Sequence, residues 1–388
     1  DVCSSDLKVR DPIIPIAVPT DMAGPDERDA RLPAMTDAAL LARAMAPDLR
    51  IGRGILAPHV AALPGTYLLL SQAGPLAAAD PAIAARAIAV AEVASLAEED
   101  LAALERSLPS ADRVVGIGGG MTIDATKYVA WRRGIPFVLA PSIVSVDAPV
   151  TNTVAVRRAG TVVYEGFVVA ESIVADLALI ARAPARLNRA GVGDLLSIHT
   201  GRFDWALGAR AGTVAFDAAI DAAAAAVLEA TFALAEDVAS VTDHALGSIL
   251  RLYAEVNALL LRAGHAGPEE GSEHYFAYHA EAVTGRSFVH GELVGLGTAL
   301  MAELQGNDAA RVRAFLRRAG VAWRPAELGL DRDTLSRILT GLPAFVRSAG
   351  LPRSIIDEAP LTASVVDRLV TSLADAPTGV GASQGATA

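Results

Sequence analysis

Three segments in the second half of the chain carry side chains that could hold a metal ion. Asp194 lies in AGVGDLLSIHT, His274 in EEGSEHYFAYHAE and His290 in FVHGELVGLG. One carboxylate and two imidazoles suit Zn, Fe(II) or Ni(II) and leave coordination positions open for a substrate oxygen. The two histidines are 16 positions apart, which allows one on each of two neighbouring helices. The sequence therefore predicts a metal site formed by Asp194, His274 and His290.

Two other histidines, His199 and His279, are second choices for this site. His279 follows His274 by five positions, a spacing that does not place two side chains on one face of a helix. A single histidine is more often structural than metal-binding, so the prediction depends on the whole set beside a glycine-flanked aspartate.

A glycine-rich loop, GIGGGMTIDATK at 116–127, joins an apolar strand candidate to a helix. Gly118, Gly119 and Gly120 let the backbone approach a ligand and reach positive φ. The free N–H groups and the dipole at the start of the helix favour an anion. The loop matches neither the Walker motif nor the standard dinucleotide fingerprint. A tight turn is the alternative, but three successive glycines exceed what a turn needs, so we predict phosphate binding.

Three polar residues follow these glycines and complete the predicted nucleotide site. Thr122 can cap the helix, and Asp124 and Lys127 lie on its first turns. Lysine occurs only at positions 8 and 127, whereas the other basic residues are arginines. A compact ammonium and a planar guanidinium are not interchangeable in a tight site. A functional role for Lys127 is therefore favoured over chance survival on a solvated helix.

Composition limits the classes of protein to which the chain can belong. Its 388 residues suggest two domains, and its net charge of −11 argues against a general nucleic-acid binder. No apolar run reaches the ~18 residues that a membrane span needs. The most alanine-rich run, 218–235, is interrupted by Asp221 and Glu229 and predicts a buried helix.

The single cysteine, Cys3, excludes an intrachain disulfide and a thiolate metal site. The N-terminus lacks the basic, apolar and small-residue succession of a signal peptide, and the segment DVCSSDLK is given no role. We expect a cytoplasmic homo-oligomer that acts on a small molecule and binds neither nucleic acid nor membrane.

The order of elements predicts an α/β Rossmann-like domain followed by an all-helical domain. Apolar strand candidates alternate with helices up to the hairpin pattern TVAVRRAGTVVYEG, which implies a parallel sheet with helices on its faces. We predict strands at 66–71, 113–118, 136–140, 153–166 (a hairpin) and 172–177, and helices at 37–46, 81–108 and from Thr122. Helices are then predicted at 187–209, 213–235, 236–263, 272–283, 291–304 and 308–319.

Four segments follow from this order. They are an extension at 1–48, a dinucleotide-binding domain at 49–183, a metal-binding helical domain at 184–375 and a disordered tail at 376–388. Ligands of such chains usually lie in the cleft between the two domains.

Together these motifs resemble the family that includes glycerol-1-phosphate dehydrogenase, glycerol dehydrogenase, iron-containing alcohol dehydrogenases and dehydroquinate synthase. The resemblance covers roughly residues 50–345 and is carried by the loop at 118–127, by PSIVSVDAP at 141–149 and by the aspartate and two histidines. AGVGDLLSIHTGRFDW and GSEH are most similar to glycerol-1-phosphate dehydrogenase, and PSIVSVDAP is more similar to glycerol dehydrogenase. The resemblance implies a dehydroquinate synthase-like fold.

The resemblance also implies an alcohol dehydrogenase that uses NAD or NADP and one divalent metal, Zn, Fe or Ni. Ser142 and Ser145 would flank the nicotinamide, Asp147 would contact substrate hydroxyls, and the pyrophosphate would lie on Gly118 to Gly120. The favoured reaction interconverts dihydroxyacetone phosphate and sn-glycerol 1-phosphate, with Arg202 and Arg286 as candidate phosphate ligands. The alternatives are an unphosphorylated polyol, a non-redox lyase of the dehydroquinate synthase type, and a non-catalytic nucleotide-binding protein.

Four positions depart from relatives in this family. Ile198 stands where four-ligand members carry a histidine, which implies three ligands here. Tyr278 and Met121 replace residues that are common in relatives, and this leaves the substrate open. Gln72 follows Ser71 where relatives often place an acidic residue near the ribose, which leaves NAD and NADP both open.

Overall fold

The computed structural model describes residues 38–158 and 161–373. Its first half forms a six-stranded parallel sheet with the strand order β1-β8-β5-β4-β2-β3, and a separate antiparallel hairpin, β6-β7, follows β5. The strands are β1 Leu49–Gly52, β2 Tyr67–Ser71, β3 Ala89–Glu92, β4 Arg113–Gly118, β5 Phe137–Pro141, β6 Val154–Arg158, β7 Thr161–Glu165 and β8 Ser172–Asp176.

Helices surround this sheet and make up the second half of the described chain. The helices before residue 184 are α1 Ala38–Met45, α2 Leu56–Ala61, α3 Ala73–Ala78, α4 Pro81–Arg86, α5 Glu98–Ser107, α6 Gly120–Arg133 and α7 Leu177–Ile180. Those after it are α8 Ala185–Ala190, α9 Val192–Arg210, α10 Ala218–Ala233, α11 Ala235–Ser240, α12 Asp243–Ala263, α13 Ser272–Thr284, α14 His290–Gln305, α15 Ala309–Arg318, α16 Arg332–Ser348 and α17 Ala363–Ser372. The predicted fold class, an α/β domain followed by an all-helical domain, is confirmed.

Both faces of the sheet are buried, because successive side chains of a strand point to opposite faces. In β2, Leu68 and Leu70 belong to the large core that extends into the helical half, whereas Tyr67 and Leu69 belong to a smaller core under α2 and α4. Near-continuous apolar strands are typical of a parallel sheet covered on both faces. This is why the apolar strands at 66–71, 113–118 and 136–140 could be read from the sequence.

The prediction of one helix over 81–108 is wrong. The chain forms α4, then the edge strand β3, then α5. The alanine-rich text around β3 has helical propensity, but Ala89 and Val90 pair with Leu68 and Leu69 of β2. Pairing along the sheet outweighs local propensity there. Strand β1 is a further element that the sequence analysis did not predict.

The predicted helix at 37–46 is observed as α1, which packs beside α12, where Asn257 Nδ2 donates to the carbonyl of Ala44 at 3.3 Å. The remainder of the predicted extension, 1–37, and the predicted tail at 376–388 lie outside the described residues. The other domain boundaries stay predictions. None of the described helices is both long and apolar enough to span a bilayer.

Candidate active site

Three ligand atoms, one each from Asp194, His274 and His290, lie within 4.8 Å of one another. Asp194 lies on the first turn of α9, His274 on the first turn of α13, and His290 begins α14. His290 Nε2 is 3.4 Å from Asp194 Oδ1, and the two imidazole centroids are 5.4 Å apart. Three helix starts thus converge on one point.

The Asp194 carboxylate is suited to bind a metal ion because no group in the described structure forms a hydrogen bond with it. Its side chain is 5% exposed, and neither Oδ1 nor Oδ2 has a hydrogen-bond partner among the described residues. A buried carboxylate without hydrogen bonds is costly, and a cation removes that cost. Burial raises the pKa of Asp194 to about 7 when only protein groups act on it. A divalent cation in this position would lower that pKa.

The two histidines differ in their surroundings. Burial lowers the pKa of His274, but the Glu273, Glu270 and Asp194 carboxylates together outweigh this effect and raise the pKa to about 10. Burial in the cleft and the nearby His274 lower the pKa of His290, so the His290 ring is neutral at pH 7. The His290 side chain is 40% exposed, which places a lone pair where a ligand can reach it.

Glu273 orients His274 and was not predicted from the sequence. Glu273 Oε1 lies 2.8 Å from His274 Nδ1 and also accepts from the backbone N–H of Gly271 at 2.6 Å. Its Oε2 accepts from Thr200 Oγ1 at 2.7 Å. A carboxylate on one ring nitrogen leaves the other, Nε2, as the metal ligand. Residues adjacent in a helix usually point in different directions, so the Glu-His pair in GSEH gave no usable signal.

Close glycine contacts bring the helices of the site together. A Cβ atom on Gly291 would lie 1.9 Å from the carbonyl oxygen of Ala190, so only glycine allows α14 to approach the end of α8, just before α9. A Cβ atom on Gly297 would lie 2.6 Å from the carbonyl oxygen of Glu273, so α13 and α14 touch backbone to backbone. Close packing at Gly291 and Gly297 therefore brings His290 near the helices that carry Asp194 and His274.

The second-choice histidines lie outside the site. His199 Nε2 is 2.6 Å from the carbonyl oxygen of Asn307. His279 Nδ1 is 2.9 Å from the carbonyl oxygen of Ile338, and the His279 ring stacks on Phe345 at 4.8 Å. Both histidines satisfy backbone carbonyls inside the helical half, which is a structural role.

The glycine-rich loop joins β4 to α6 at the carboxyl edge of the sheet, where ligands of open α/β sheets bind. A Cβ atom on Gly118 would lie 2.3 Å from Thr122 Oγ1, and one on Gly119 would lie 2.8 Å from Ile143 Cδ1. Neither glycine, nor Gly120, has a positive φ, so that part of the expectation is wrong. The absence of side chains at these glycines lets the backbone pack closely against neighbouring segments. The N-terminus of α6 still has the geometry that favours an anion.

The polar residues after the glycines point into the protein. The predicted cap is wrong, because α6 begins at Gly120 with Gly119 as its N-cap, and Thr122 is fully buried inside the first turn. Lys127 is 1% exposed, and its Nζ donates to Thr151 Oγ1 and to the carbonyl of Thr153, both at 3.1 Å. Lys127 Nζ is also 3.6 Å from Asp124 Oδ1.

Asp124 completes this buried network. Its Oδ1 accepts from the backbone N–H of Ala155 at 3.3 Å, at the start of the hairpin. Any contribution of Asp124 and Lys127 to cofactor binding therefore has to be indirect, through the segment that carries Asp147 and leads into the hairpin.

The segment after β5, which carries Ser142, Ser145 and Asp147, connects the glycine loop to the helical half. The N–H of Ser142 donates to the carbonyl of Gly118 at 2.9 Å, which ties this segment to the glycine loop. The N–H of Val144 donates to Asn188 Oδ1 at 3.2 Å, which ties it to the helical half. Burial raises the pKa of Asp147 to about 7, and the charge of the Asp194 carboxylate contributes to this rise. The segment thus lies between the predicted nucleotide loop and the metal ligands.

Comparison with known proteins identifies the family. A family model described as iron-containing alcohol dehydrogenase matches residues 75–184. Glycerol-1-phosphate dehydrogenase [NAD(P)+] from Hyperthermus butylicus is 34% identical over 62% of this chain and 68% of its own length. The chain belongs to the iron-containing alcohol dehydrogenase family.

Two further comparisons agree with this membership. Glycerol-1-phosphate dehydrogenase [NAD(P)+] from Aeropyrum pernix is 33% identical over 58% of this chain, and the matched stretch spans 64% of that relative. A probable glycerol dehydrogenase from Sinorhizobium meliloti 1021 has a solved structure that aligns with a TM-score of 0.61 at 26% identity, covering 84% of this chain and 96% of the other.

Two successive glutamates of this iron-containing alcohol dehydrogenase, Glu269 and Glu270, precede the helix that carries His274. Glu269 is 5% exposed, and its Oε1 has no hydrogen-bond partner in the part of the chain that the structure describes. Burial, together with the charges of Asp147 and Asp194, raises the pKa of Glu269 well above its usual range. Glu270 Oε1 accepts from Tyr278 Oη at 2.6 Å, beside the His274 ring. Neither glutamate was singled out from the sequence.

The two arginines considered as phosphate ligands are engaged elsewhere. Arg202 forms a two-point ion pair with Asp221 at 2.7 and 2.8 Å. Arg286 donates to the carbonyls of Gly329 and Leu328 at 2.9 and 3.0 Å. The structure therefore gives neither a place in the site.

A cavity of about 220 Å³ lies within the helical half, and none of the three predicted metal ligands lines it. Its lining includes Asp204, Trp205, His265, Glu270 and Tyr275. Ile198, at the position of the absent fourth ligand, is fully buried in the core.

Proposed function

We propose that the protein is a metal-dependent, NAD(P)-linked dehydrogenase that interconverts a small polyol, or polyol phosphate, and its ketone. The observation that carries this proposal is the Asp194 carboxylate, buried without a hydrogen-bond partner among described residues, within 4.8 Å of two imidazole ligand atoms. The donor set suits Zn, Fe or Ni. Family membership and the printed names of the relatives support both cofactors.

The metal would be held by Asp194, His274 and His290, with Glu273 fixing the His274 ring. When bound, such an ion supplies a Lewis acid that polarises a carbonyl or lowers the pKa of an alcohol. The burial of Asp194 and His274 would limit water around a bound ion, which would strengthen this electrostatic effect on a developing alkoxide. His290, which is neutral and half-exposed, marks the side from which the substrate approaches.

The cofactor would lie across the carboxyl edge of the sheet. Its pyrophosphate would bind the backbone at Gly118 to Gly120 and the start of α6. Ser142 and Ser145 would flank the nicotinamide, and Asp147 would accept a hydrogen bond from a substrate hydroxyl. The hydrogen bond between the N–H of Ser142 and Gly118 supports this arrangement, because it joins the loop to the segment with these residues. Thr122, Asp124 and Lys127 would act by supporting the loop and that segment.

The test combines metal analysis with an absorbance assay. The purified chain would be assayed for bound metal, then for NADH and NADPH consumption with dihydroxyacetone phosphate and with dihydroxyacetone. Consumption with either ketone, dependent on Zn, Ni or Fe, supports the proposal. Similarity to glycerol-1-phosphate dehydrogenases favours the phosphate ester, with sn-glycerol 1-phosphate as its product, whereas the fold shared with a probable glycerol dehydrogenase favours the free polyol.

A second candidate is a non-redox lyase of the dehydroquinate synthase type. Product formation that requires NAD but yields no net NADH would favour it over the dehydrogenase. Bound metal and NAD with no reaction would leave a nucleotide-binding protein on an enzyme fold.

We also propose that the protein is a cytoplasmic homo-oligomer. Within the described residues β3 pairs only with β2, so its outer edge is open, and Val90 on that edge is 45% exposed. Open edges and exposed apolar side chains support contact between subunits. Light scattering of the purified chain would give the number of subunits.

A further inference from the structure

The two predicted histidine ligands differ in what holds their rings in place. Glu273 Oε1 lies 2.8 Å from His274 Nδ1 and orients that ring. Within the described residues no group forms a hydrogen bond with the His290 ring, and the His290 side chain is 40% exposed. His290 is the first residue of α14. The place of its ring therefore depends on the position of the first turn of that helix.

Glu292, two residues later in the same turn, is a buried carboxylate that is paired with Arg186 of α8. Glu292 is 1% exposed, and both of its carboxylate oxygens accept hydrogen bonds from the guanidinium. Arg186 Nε lies 2.5 Å from Oε1, and Nη2 lies 2.7 Å from Oε2. The described part of the chain supplies no other donor to these oxygens. A planar guanidinium forms such a pair in one preferred geometry, which a lysine ammonium cannot reproduce.

This pair makes the position of the first turn of α14 costly to change. The Arg186 side chain is 55% exposed and extends from the surface to the buried Glu292 carboxylate. A rotation of the turn would break one of the two hydrogen bonds and leave a buried carboxylate oxygen without a donor. Loss of the arginine would leave the whole charge uncompensated. The pair therefore restrains the turn in which His290 lies.

The helix that carries Arg186 also leads into the helix that carries Asp194. α8 ends at Ala190, and α9 begins at Val192. Because a Cβ atom on Gly291 would lie 1.9 Å from the carbonyl oxygen of Ala190, the first turn of α14 also contacts the end of α8 through its backbone. Arg186 and Ala190 are four positions apart, which is about one helical turn. Two contacts separated in this way fix the orientation of α14 as well as its distance from α8.

We propose that Arg186 is a positioning residue for the metal centre, because its two-point ion pair with Glu292 fixes the first turn of α14 and with it the His290 ring. Arg186 contributes no ligand atom and acts only through Glu292. The inference rests on the proposed metal site of Asp194, His274 and His290. A pair that served stability alone would change unfolding but would leave the coordination of a bound ion unchanged.

The experiment compares substitutions at two arginines of the same helix in the full chain. The variants are Arg186→Lys and Arg186→Gln, with Arg189→Lys and Arg189→Gln as matched controls. The Arg189 guanidinium donates to the carbonyl of Ala239 at 3.0 and 2.6 Å and does not pair with Glu292. Release of Zn(II), Ni(II) and Fe(II) to a chelator is followed for each variant. The visible absorption of the Co(II)-loaded protein reports the geometry of the ligands. Urea unfolding of the metal-free protein measures stability separately.

Arg186→Lys keeps the charge but loses the two-point geometry. We expect it to release metal about 10-fold faster than the wild type and to change the Co(II) absorption, with a small change in the urea midpoint. Arg186→Gln should release metal at least as fast. Both Arg189 variants should keep the wild-type release rate and absorption. If Arg186→Gln fails to fold, Arg186→Gln/Glu292→Gln replaces it, because that double variant leaves no unpaired buried charge.

Three results would overturn the inference. Wild-type release rates and absorption in the Arg186 variants would show that the pair has no positioning role, and the proposed dehydrogenase would still stand. Equal acceleration in the Arg186 and Arg189 variants would show a general loosening of α8, again without bearing on the dehydrogenase. A wild-type protein that retains none of the four ions would overturn both the inference and the proposed function.

Discussion

A Cβ atom built on Gly193 would lie 2.0 Å from the carbonyl oxygen of Gly291. The next residue after Gly193 is Asp194, and the residue before Gly291 is His290, so this backbone contact lies beside two of the predicted metal ligands. The distance between the first turns of α9 and α14 therefore determines the distance between Asp194 and His290. The two helices are too close at this point for a side chain at position 193.

We expect Gly193→Ala to lower both metal affinity and stability. The added methyl group must push α9 from α14, and overpacking of this kind costs about 1–3 kcal/mol. Bound metal after dialysis and the urea unfolding midpoint would be measured together. The matched control is Gly74→Ala in α3, where an added Cβ has no atom within 4 Å. Equal metal content in the two variants would contradict the proposed coupling.

Asp194→Ala should lose both the metal and turnover. It removes the ligand whose two oxygens are buried without hydrogen-bond partners among the described residues. Metal stoichiometry by elemental analysis is the direct measurement. The control His279→Ala removes a buried imidazole that bonds Ile338 instead, so it should lose stability but keep the metal. Full activity in Asp194→Ala would exclude the assigned site.

Glu273→Gln should weaken metal binding without abolishing it. The carboxylate orients the ring of His274 through Nδ1, and loss of such a partner typically lowers metal affinity about 10- to 100-fold. The rate of metal loss to a chelator would measure the change. Glu303→Gln, which alters an ion pair with Arg313 on α15, should release metal at the wild-type rate. If both variants release metal equally fast, Glu273 has no orienting role.

Stability should fall when the pH drops below about 6.5, and His199 should account for part of the loss. Burial lowers the pKa of His199 in the folded protein relative to the unfolded chain. The unfolded chain therefore binds more protons as the pH falls through its own pKa, and the free energy of unfolding decreases from there toward the folded pKa. Urea midpoints at pH 7.5 and 5.5 should differ less in His199→Gln than in the wild type. An unchanged difference would show that His199 does not contribute.

Lys127→Met should destabilise the α/β domain. It removes the ammonium that faces the buried Asp124 and leaves that carboxylate without its cation, an effect of about 3–5 kcal/mol for a buried pair. The double variant Lys127→Met/Asp124→Asn should recover much of that loss, because no unpaired charge remains. Free energies of unfolding from urea titration test this, and equal values for the single and double variants would contradict the pairing.

The sequence was sufficient to propose the three residues that the structure brings within 4.8 Å of one another, because their types and glycine neighbours are local features. Asp194, His274 and His290 could be proposed as a set without knowing the helix packing. The fold class also followed from local features, since apolar strands such as 113–118 and long helical runs are distinct in the text. The edge strand β3 could not be predicted, because its identity depends on pairing with a strand some twenty residues earlier in the chain.

The other polar residues around the predicted ligands could not be predicted from the sequence in the same way. In the sequence, Glu269 and Glu270 are two ordinary acidic residues. Only its burial in the structure distinguishes Glu269 from a solvated surface carboxylate. Glu273 orients His274 through a geometry that helical spacing does not predict. Arg202 and Arg286 were chosen by charge alone, and each has a partner on a distant segment.

The burial of Lys127 provides a way to measure local opening of the α/β domain. Of the two lysine amines, one is at position 8, outside the described residues, and the other is 1% exposed beneath the hairpin. An acylating reagent can reach Lys127 only during a transient opening of that region. The acylation rate of Lys127, measured by mass spectrometry of the peptide that contains it, would therefore give the rate of transient opening in the α/β domain. A slower acylation on addition of NAD(P) would show that the bound cofactor reduces this opening.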